Sequence, residues 1–250
     1  MSWDKFGFKK GELAFVAQNY ENNKLITILD NRRQTTIRNY FLKYPLKVRQ
    51  KVRFITMDIS GAYMPLARRL FPNAEIIIDR FHIIQHLGRA FLKTRIAIMN
   101  QFDKKSLPYR ALKNHWRLFQ KDSRKLSLNP FYSKTFHQTL CPHEVVEKTL
   151  KFSEELANYY NLYQLLLFHF QNKKPDNFIG LIENSIKQVH TLFQTVFKTF
   201  LKDKEKIVNA LQLPYSNAKL EATNNLIKLI KRNAFGFRNF ENFKKRIFIA

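Results

Sequence analysis

The sequence predicts an α/β fold, with a sheet formed by the first third of the chain and a long helical segment after it. Three short apolar runs predict an antiparallel meander, at residues 3–9, 13–19 and 25–29. Glu21-Asn-Asn between the last two runs suits a hairpin turn. A strand, helix, strand pattern occupies residues 53–79, and residues 95–206 show the three-to-four-residue apolar spacing of helices. Together these patterns predict a mixed sheet flanked by helices.

The strand, helix, strand segment predicts a parallel crossover unit. Its first strand ends in Asp58, Ser60 is placed to cap the helix, and its second strand ends in Asp79. The carboxyl ends of parallel strands open at one edge of the sheet, where open α/β sheets bind ligands. We therefore expect Asp58 and Asp79 to lie close together. Each acid could instead cap the helix that follows it, but acids at the ends of two successive strands favour a functional site.

Composition predicts a polyanionic partner. Lysine and arginine total 44 against 19 acidic residues, which gives a formal charge of +25 and a pI near 10.2. Because the basic residues are spread along the chain and not gathered on one amphipathic helix, nucleic acid is favoured over a membrane surface. Cys141 is the single cysteine, which excludes an internal disulfide and predicts a reducing compartment. No run is apolar enough to span a bilayer, so no membrane partner is expected.

The helix predicted from Ala218 to about Asn233 carries an acid without a local cation. Most other glutamates in helical segments have a lysine three or four residues away, whereas Glu221 has none. One polar stripe follows from the helical spacing of Glu221, Asn224, Asn225, Lys228 and Arg232, opposite the apolar Leu220, Ile227 and Ile230. Two interpretations stay open: an anion stabilised near a helix N-terminus, or a metal ligand beside a phosphate backbone.

Converging carboxylates in a basic chain suit Mg²⁺, which takes oxygen ligands, keeps several waters and bridges to phosphate. A pair of such ions about 3.5 to 4 Å apart can assist phosphodiester displacement. His82, three residues after Asp79, could approach a phosphate there, although a lone helical histidine is more often a packing or surface residue. The chain has no Gly-rich phosphate loop, no Gly-x-Ser-x-Gly and no His-Glu-x-x-His motif.

Several stretches spread over nearly the whole chain carry a family resemblance: residues 3–11 (WDKFGFKKG), 56–63 (TMDISGAY), 71–74 (FPNA) running into 79–82 (DRFH), 109–112 (YRAL), and 216–225 (SNAKLEATNN) with 230–232 (IKR) and 236–240 (GFRNF). The last two stretches are the most specific. In these residues the chain resembles the DDE transposases of bacterial insertion sequences, of the ISL-three type. The resemblance implies a ribonuclease-H-like mixed sheet flanked by helices, interrupted by a large α-helical insertion.

The resemblance also implies a catalytic site. Asp4, Asp58 and Glu221 would bind Mg²⁺, with Mn²⁺ as a substitute, and Asp79 and His82 would form an accompanying Asp-x-x-His element. Water would cut the transposon end, and the freed 3′-hydroxyl would attack target DNA. The residues predicted to contact the DNA are Lys219, Asn224, Asn225, Lys228, Lys231, Arg232 and Arg238. A homo-oligomer on DNA is expected, in the bacterial cytoplasm and associated with the nucleoid.

The predicted domain organisation follows the same resemblance. Residues 1–95 would form the first part of the catalytic domain, 96–206 the helical insertion, and 207–250 the helices that complete the domain. Breaks in the helical segment are expected at Pro108, Pro130, Pro142 and Pro175. Its aromatic side chains are expected to pack in a core and not to stack on bases: Trp116, Phe119, Tyr159, Tyr163, Phe193, Phe197 and Phe200.

Two departures from the family pattern define the alternatives. Family members usually carry Asp-Glu at the first aspartate, whereas this chain has Asp4-Lys5. Zinc-binding and helix-turn-helix segments should precede Asp4, but only three residues do, so an N-terminally truncated transposase is expected. One alternative is an inactive remnant that binds nucleic acid in a salt-sensitive, sequence-independent way. The other is a ribonuclease-H-like nuclease, which would cleave without strand transfer.

Overall fold

A computed structural model describes residues 1–59 and 62–250 of the chain. It confirms the α/β class, with a five-stranded mixed sheet in the order β3-β2-β1-β4-β5. The strands of this sheet are β1 (Ser2–Lys9), β2 (Glu12–Gln18), β3 (Leu25–Leu29), β4 (Phe54–Met57) and β5 (Glu75–Ile78). The first three form the predicted antiparallel meander, and β4 lies parallel to both β1 and β5.

The helices in the described part of the chain are α1 (Gln34–Phe41), α2 (Leu46–Arg49), α3 (Tyr63–Leu70), α4 (Arg80–Met99), α5 (Leu107–Asn114), α6 (Trp116–Gln120), α7 (Pro142–Leu150), α8 (Glu154–Gln171), α9 (Pro175–Ser185), α10 (Thr191–Lys202), α11 (Lys204–Gln212), α12 (Ala218–Asn233) and α13 (Phe240–Ile249). A 3₁₀ turn spans Ser123–Lys125. None of the helices described is long and apolar enough to cross a membrane.

The crossover unit β4-α3-β5 has the predicted form. Thr56 of β4 pairs with Ser2 of β1, and Phe54 to Met57 pair in register with Glu75 to Ile78. Helix α3 ends at Leu70, two residues before Pro72, which cannot continue a helix. Ser60, predicted to cap this helix, lies outside the described residues. The parallel pairing brings the residues after β4 and β5 to one edge of the sheet.

The chain divides into two compact units, one formed by residues 1–82 with 213–250 and the other by residues 83–212. The predicted boundaries were 95/96 and 206/207. The first unit contains the whole five-stranded sheet together with α12 and α13. Its two sequence segments are therefore separated along the chain by the entire second unit.

Trp3 is the centre of the core on one face of the sheet. Its ring is fully buried and lies 5.2 Å from that of Phe15, 5.4 Å from that of Phe41 and 6.0 Å from that of Phe71, measured between centroids. Tyr63 of α3 is 6.4 Å away and meets the indole edge to face. Such aromatic pairs contribute beyond the area that they bury. They attach α1 and α3 to this face.

Helices α12 and α13 cover the opposite face of the sheet. The strands contribute alternate residues to this second core, as period-two side-chain geometry requires. The buried residues here are Phe6, Phe8, Ala14, Val16, Ile28, Leu220, Ile227, Phe243 and Ile247. Ile230, predicted to be buried with Leu220 and Ile227, is partly buried. Helix α12 ends as expected near Gly236. This glycine has a φ angle of +97°, and its N–H donates to the Lys231 carbonyl oxygen.

The second unit is helical apart from one hairpin. Phe119, Tyr163, Phe193, Phe197 and Phe200 are buried as predicted, whereas Trp116 and Tyr159 are partly exposed. Prolines lie in the first turns of α5, α7 and α9, where a missing N–H costs nothing. The helical pattern predicted for residues 95–206, with breaks at four prolines, was wrong at β6 (Phe131–Ser133) and β7 (Gln138–Leu140), which pair antiparallel. Strands of three residues are too short to produce a detectable alternation.

The docking of α13 gives a stability prediction. Phe243 is fully buried against the rings of Phe6, Phe8 and Phe237, so Phe243→Ala should leave a cavity and lower the free energy of unfolding by about 3–5 kcal/mol. Phe248→Ala is the matched control, because this side chain on the same helix is 48% exposed; its effect should stay within about 0.5 kcal/mol. Urea unfolding measures both, and equal losses would contradict the proposed packing.

Candidate metal and nucleic-acid site

A polar cavity of about 230 Å³ opens where the strand ends of the first unit meet α12. Its lining combines four acidic side chains with lysines, a histidine, asparagines and one phenylalanine. The lining residues are Asp4, Lys5, Asp58, Asp79, Phe81, His82, Asn217, Glu221, Asn224 and Lys228. All five residues predicted to be catalytic therefore line one cavity. They come from β1, from the positions directly after β4 and β5, from the start of α4 and from the first turn of α12.

Asp58, directly after β4, lies between two basic groups. The Nζ atom of Lys5 is 3.1 Å from Asp58 Oδ2, and His82 Nε2 is 2.6 Å from Oδ1. Burial by itself would raise the pKa of Asp58, but the contacts with His82 and Lys5 outweigh it and lower that pKa. The contact with Asp58 likewise raises the pKa of His82. The pair is thus an ionised carboxylate facing an imidazole that favours its protonated form.

Asp79, directly after β5, completes a group of close ligand atoms. Asp58, Asp79 and His82 each offer one atom, and these atoms lie within 4.8 Å of one another. Asp79 is 7% exposed, and burial raises the pKa of its carboxyl group, opposed by the Asn217 N–H, which donates to Oδ1 at 3.3 Å. The expected proximity of Asp58 and Asp79 is confirmed. Parallel pairing of β4 with β5 is its cause.

Asp4 approaches from the middle of β1. Its Oδ1 accepts from the Lys5 N–H at 2.7 Å, and its Oδ2 accepts from the Asn224 amide at 2.5 Å. Burial and the nearby Asp58 carboxylate raise the pKa of Asp4 to about 6. In this structure both oxygens are occupied by donors, and Asp4 is not one of the three residues whose ligand atoms cluster most closely.

Asn217, at the N-cap of α12, is a site residue that the sequence reasoning missed. It is buried, and its side-chain amide donates to the Trp3 carbonyl oxygen at 3.3 Å while its Oδ1 accepts from the Thr56 hydroxyl at 2.5 Å. With its N–H on Asp79, it connects β1, β4 and the end of β5 to α12. An asparagine before a predicted helix signals a cap, and nothing in its spacing indicates three strand partners.

Glu221 is exposed on the first turn of α12 and contributes to the cavity wall. Of the residues predicted to contact DNA, Asn225, Lys228, Arg232 and Arg238 are exposed, and Lys228 also lines the cavity. Lys219 and Lys231 donate to the Tyr20 and Gly7 carbonyl oxygens. Asn224 has a different environment, because it is 5% exposed and holds Asp4. The cationic face of α12 thus begins beside the carboxylates.

Comparison with known proteins shows the family to which this chain belongs. Residues 1–247 match the family model of ISL3-type DDE transposases, which is described as transposase. The chain belongs to this family. It is 24% identical over 250 residues to the transposase for insertion sequence element IS1001 of Bordetella parapertussis, covering 99% of this chain and 59% of that transposase.

A second relative matches only part of this chain. A Lactococcus lactis protein named ATP-dependent protease is 44% identical over 106 residues, which is 42% of this chain and 34% of that protein. The chain thus spans about a third of the length of the Lactococcus lactis protein and about three fifths of the length of the Bordetella parapertussis transposase. No solved structure matches the chain.

The raised pKa of Asp4 predicts a pH-dependent stability. With a folded pKa of about 6 against an ordinary 3.8, the folded state holds this proton more tightly, so stability falls as pH rises between those values. Asp4→Asn should remove this contribution, and its stability relative to wild type should increase across the window and level off above it. Urea unfolding with EDTA from pH 4 to 7 measures this.

The exposed Asp30→Asn, in the loop after β3, controls for the removal of one charge. Wild-type and Asp4→Asn curves that stay parallel over the whole range would contradict the assignment.

Proposed function

We propose that this chain carries the catalytic domain of an insertion-sequence transposase, which cleaves a transposon end and transfers the strand with the aid of a divalent cation. The observation that supports this most is the convergence of Asp4, Asp58, Asp79 and Glu221 on one cavity in a chain of formal charge +25. Family membership supports the same function. An anionic pocket would repel a polyanionic substrate unless a cation lay between the two.

The donor set fits a hard divalent cation. Carboxylate oxygens are the ligands that Mg²⁺ and Mn²⁺ prefer, and one ligand atom from each of Asp58, Asp79 and His82 lies within 4.8 Å of the others. Asp4, Asp58 and Glu221 are proposed as the ligands, with Asp79 and His82 beside them. A bound ion of this class supplies Lewis acidity at the phosphate and lowers the pKa of the attacking hydroxyl group or water.

The chain's own residues position the DNA and the carboxylates. Lys228, at the cavity wall, and Arg232, one turn further along α12, are proposed to hold backbone phosphates so that the scissile bond faces Asp58. His82 holds the Asp58 carboxylate in one orientation through its 2.6 Å contact. Asn224 does the same for Asp4. Such preorganisation keeps the reacting groups from having to rearrange during the reaction.

The first cleavage would release a 3′-hydroxyl group: water forms the new bond to phosphorus, and the bond from phosphorus to O3′ breaks. In strand transfer that hydroxyl group would attack a target phosphodiester in the same manner. DNA, as transposon ends and as target, is thus the proposed partner. A homo-oligomer on DNA, in the bacterial cytoplasm and near the nucleoid, is proposed as the working form.

A second candidate function is nucleic-acid binding without cleavage. The ion pair between Lys5 and Asp58 favours it, because Lys5 places a cation where a metal ion is otherwise expected. This candidate predicts DNA binding with no cleavage products at any concentration of Mg²⁺ or Mn²⁺. Cleavage without strand transfer would instead indicate a nuclease.

Glu221→Gln tests the proposed ligand role. The change keeps the shape of the side chain and removes its charge, so metal-dependent cleavage of DNA should be abolished while DNA binding stays nearly intact. Glu241→Gln, at an exposed position of α13, is the charge-matched control and should cleave like wild type. Cleavage is followed on labelled DNA carrying the element's end, and binding by fluorescence anisotropy. Cleavage by Glu221→Gln at the wild-type rate would exclude the role.

Lys228→Ala tests the proposed phosphate contact. Each phosphate contact releases condensed counterions, so the slope of log affinity against log salt should become shallower by about 0.9. The loss should be similar for different DNA sequences, because a phosphate contact carries no base information. Lys24→Ala, in the exposed turn before β3, is the control for loss of one positive charge. Equal salt slopes for Lys228→Ala and Lys24→Ala would show that Lys228 does not contact a DNA phosphate.

A further inference from the structure

Lys5 lies between two cavities of opposite character. One is the carboxylate cavity described above. The other, of about 410 Å³, is lined by Lys5, Arg32, Arg33, Gln34, Ala62 and Tyr63, with no acidic side chain among them. Arg32 and Arg33 are exposed just before α1. The Lys5 side chain is thus shared by an anionic and a cationic pocket.

In this structure the Lys5 ammonium group belongs to the anionic pocket. Its 3.1 Å contact occupies Oδ2 of Asp58, while His82 faces Oδ1. Both oxygens of the carboxylate therefore have a basic partner. Each oxygen keeps a second lone pair, so a divalent cation could still approach Asp58, but it would meet repulsion from the positive charge of these partners.

The geometry makes Lys5 the partner that can leave. Its backbone is fixed by pairing with Phe15 of β2 and by its N–H donating to Asp4. Its side chain is 37% exposed and sits on a flexible four-carbon stem, so the ammonium group can move without any change in the strand. His82, by contrast, is held on the first turn of the long helix α4.

We propose that Lys5 is a resident counter-cation: it neutralises Asp58 while the site lacks a metal ion, and it moves to a DNA phosphate in the Arg32 and Arg33 cavity when a divalent cation binds. The second cavity suits a phosphate because Lys5, Arg32 and Arg33 line it and none of its described lining residues is acidic. Metal and DNA then strengthen each other's binding, because the metal ion releases Lys5 to contact the phosphate, and the phosphate draws Lys5 away from Asp58.

This inference rests on the proposed function, since it assumes that the carboxylates bind a divalent cation. It concerns Lys5 alone and adds a prediction that the transposase assignment does not make: removing Lys5 improves metal binding. The readout is Mn²⁺ affinity measured by calorimetry and by electron paramagnetic resonance, and neither requires cleavage.

Without DNA, Lys5→Gln should bind Mn²⁺ about tenfold more tightly than wild type, because one close positive charge is removed from the site. Lys5→Arg should bind as weakly as wild type, since it keeps the charge. Lys10→Gln, in the exposed turn after β1, controls for net charge and should change the affinity less than about twofold. Circular dichroism melting curves establish that each variant is folded.

With a short DNA duplex present, Mn²⁺ affinity should rise in wild type and rise less in Lys5→Gln. Arg32→Gln combined with Arg33→Gln should reduce the rise in the same way while leaving Mn²⁺ affinity without DNA unchanged. An equal rise in all of these proteins would overturn the proposed move to the second cavity.

These outcomes distinguish failure of the role proposed for Lys5 from failure of the proposed transposase function. Mn²⁺ affinity equal or lower in folded Lys5→Gln, together with clear binding in wild type, overturns the role of Lys5 and leaves the transposase assignment intact. No Mn²⁺ binding by any of these proteins, with or without DNA, overturns both. Binding by Lys5→Gln where wild type shows none supports the inference most directly.

Discussion

Asp4, Asp58 and Asp79 repel one another in a partly buried cavity, and the rest of the site depends on how that repulsion is offset. Each carboxylate has its own donors: Asn224 and a backbone N–H for Asp4, Lys5 and His82 for Asp58, the Asn217 N–H for Asp79. The three carboxyl groups differ in the direction of their pKa shifts: the pKa of Asp58 is lowered, whereas those of Asp4 and Asp79 are raised. A site without metal thus keeps one firmly ionised acid and two that hold protons more readily.

Much of this architecture follows from sequence pattern because it depends on local periodicity. The meander, the crossover unit and the bounds of α12 were confirmed, and the edge position of Asp58 and Asp79 follows from the direction of parallel strands. Asp4 is different, because nothing local distinguishes an acid in the middle of a strand. Its candidacy came from family resemblance alone.

The contacts that order the site were beyond prediction for a physical reason. Asn217 and Asn224 each meet partners at least 130 residues away in the sequence, and an amide has no spacing signature for such partners. Helical spacing places Asn224 on the same polar stripe as Glu221 and so predicts that it faces DNA. In the fold that same angle points it at β1, where the sheet, and not solvent, is its neighbour. Helical spacing identifies a face but not what lies against it.

The discontinuity of the first unit has a consequence for synthesis of the protein. Residues 1–82 leave the ribosome long before α12 and α13, and at about 5–20 residues per second the intervening unit takes on the order of ten seconds to make. During that interval Phe6, Phe8 and Val16 have no helices to cover them, and Asp4 lacks Asn224. The nascent chain therefore carries an exposed apolar sheet face, a natural substrate for chaperones, and the carboxylate cavity closes only after the second unit and α12 have been made.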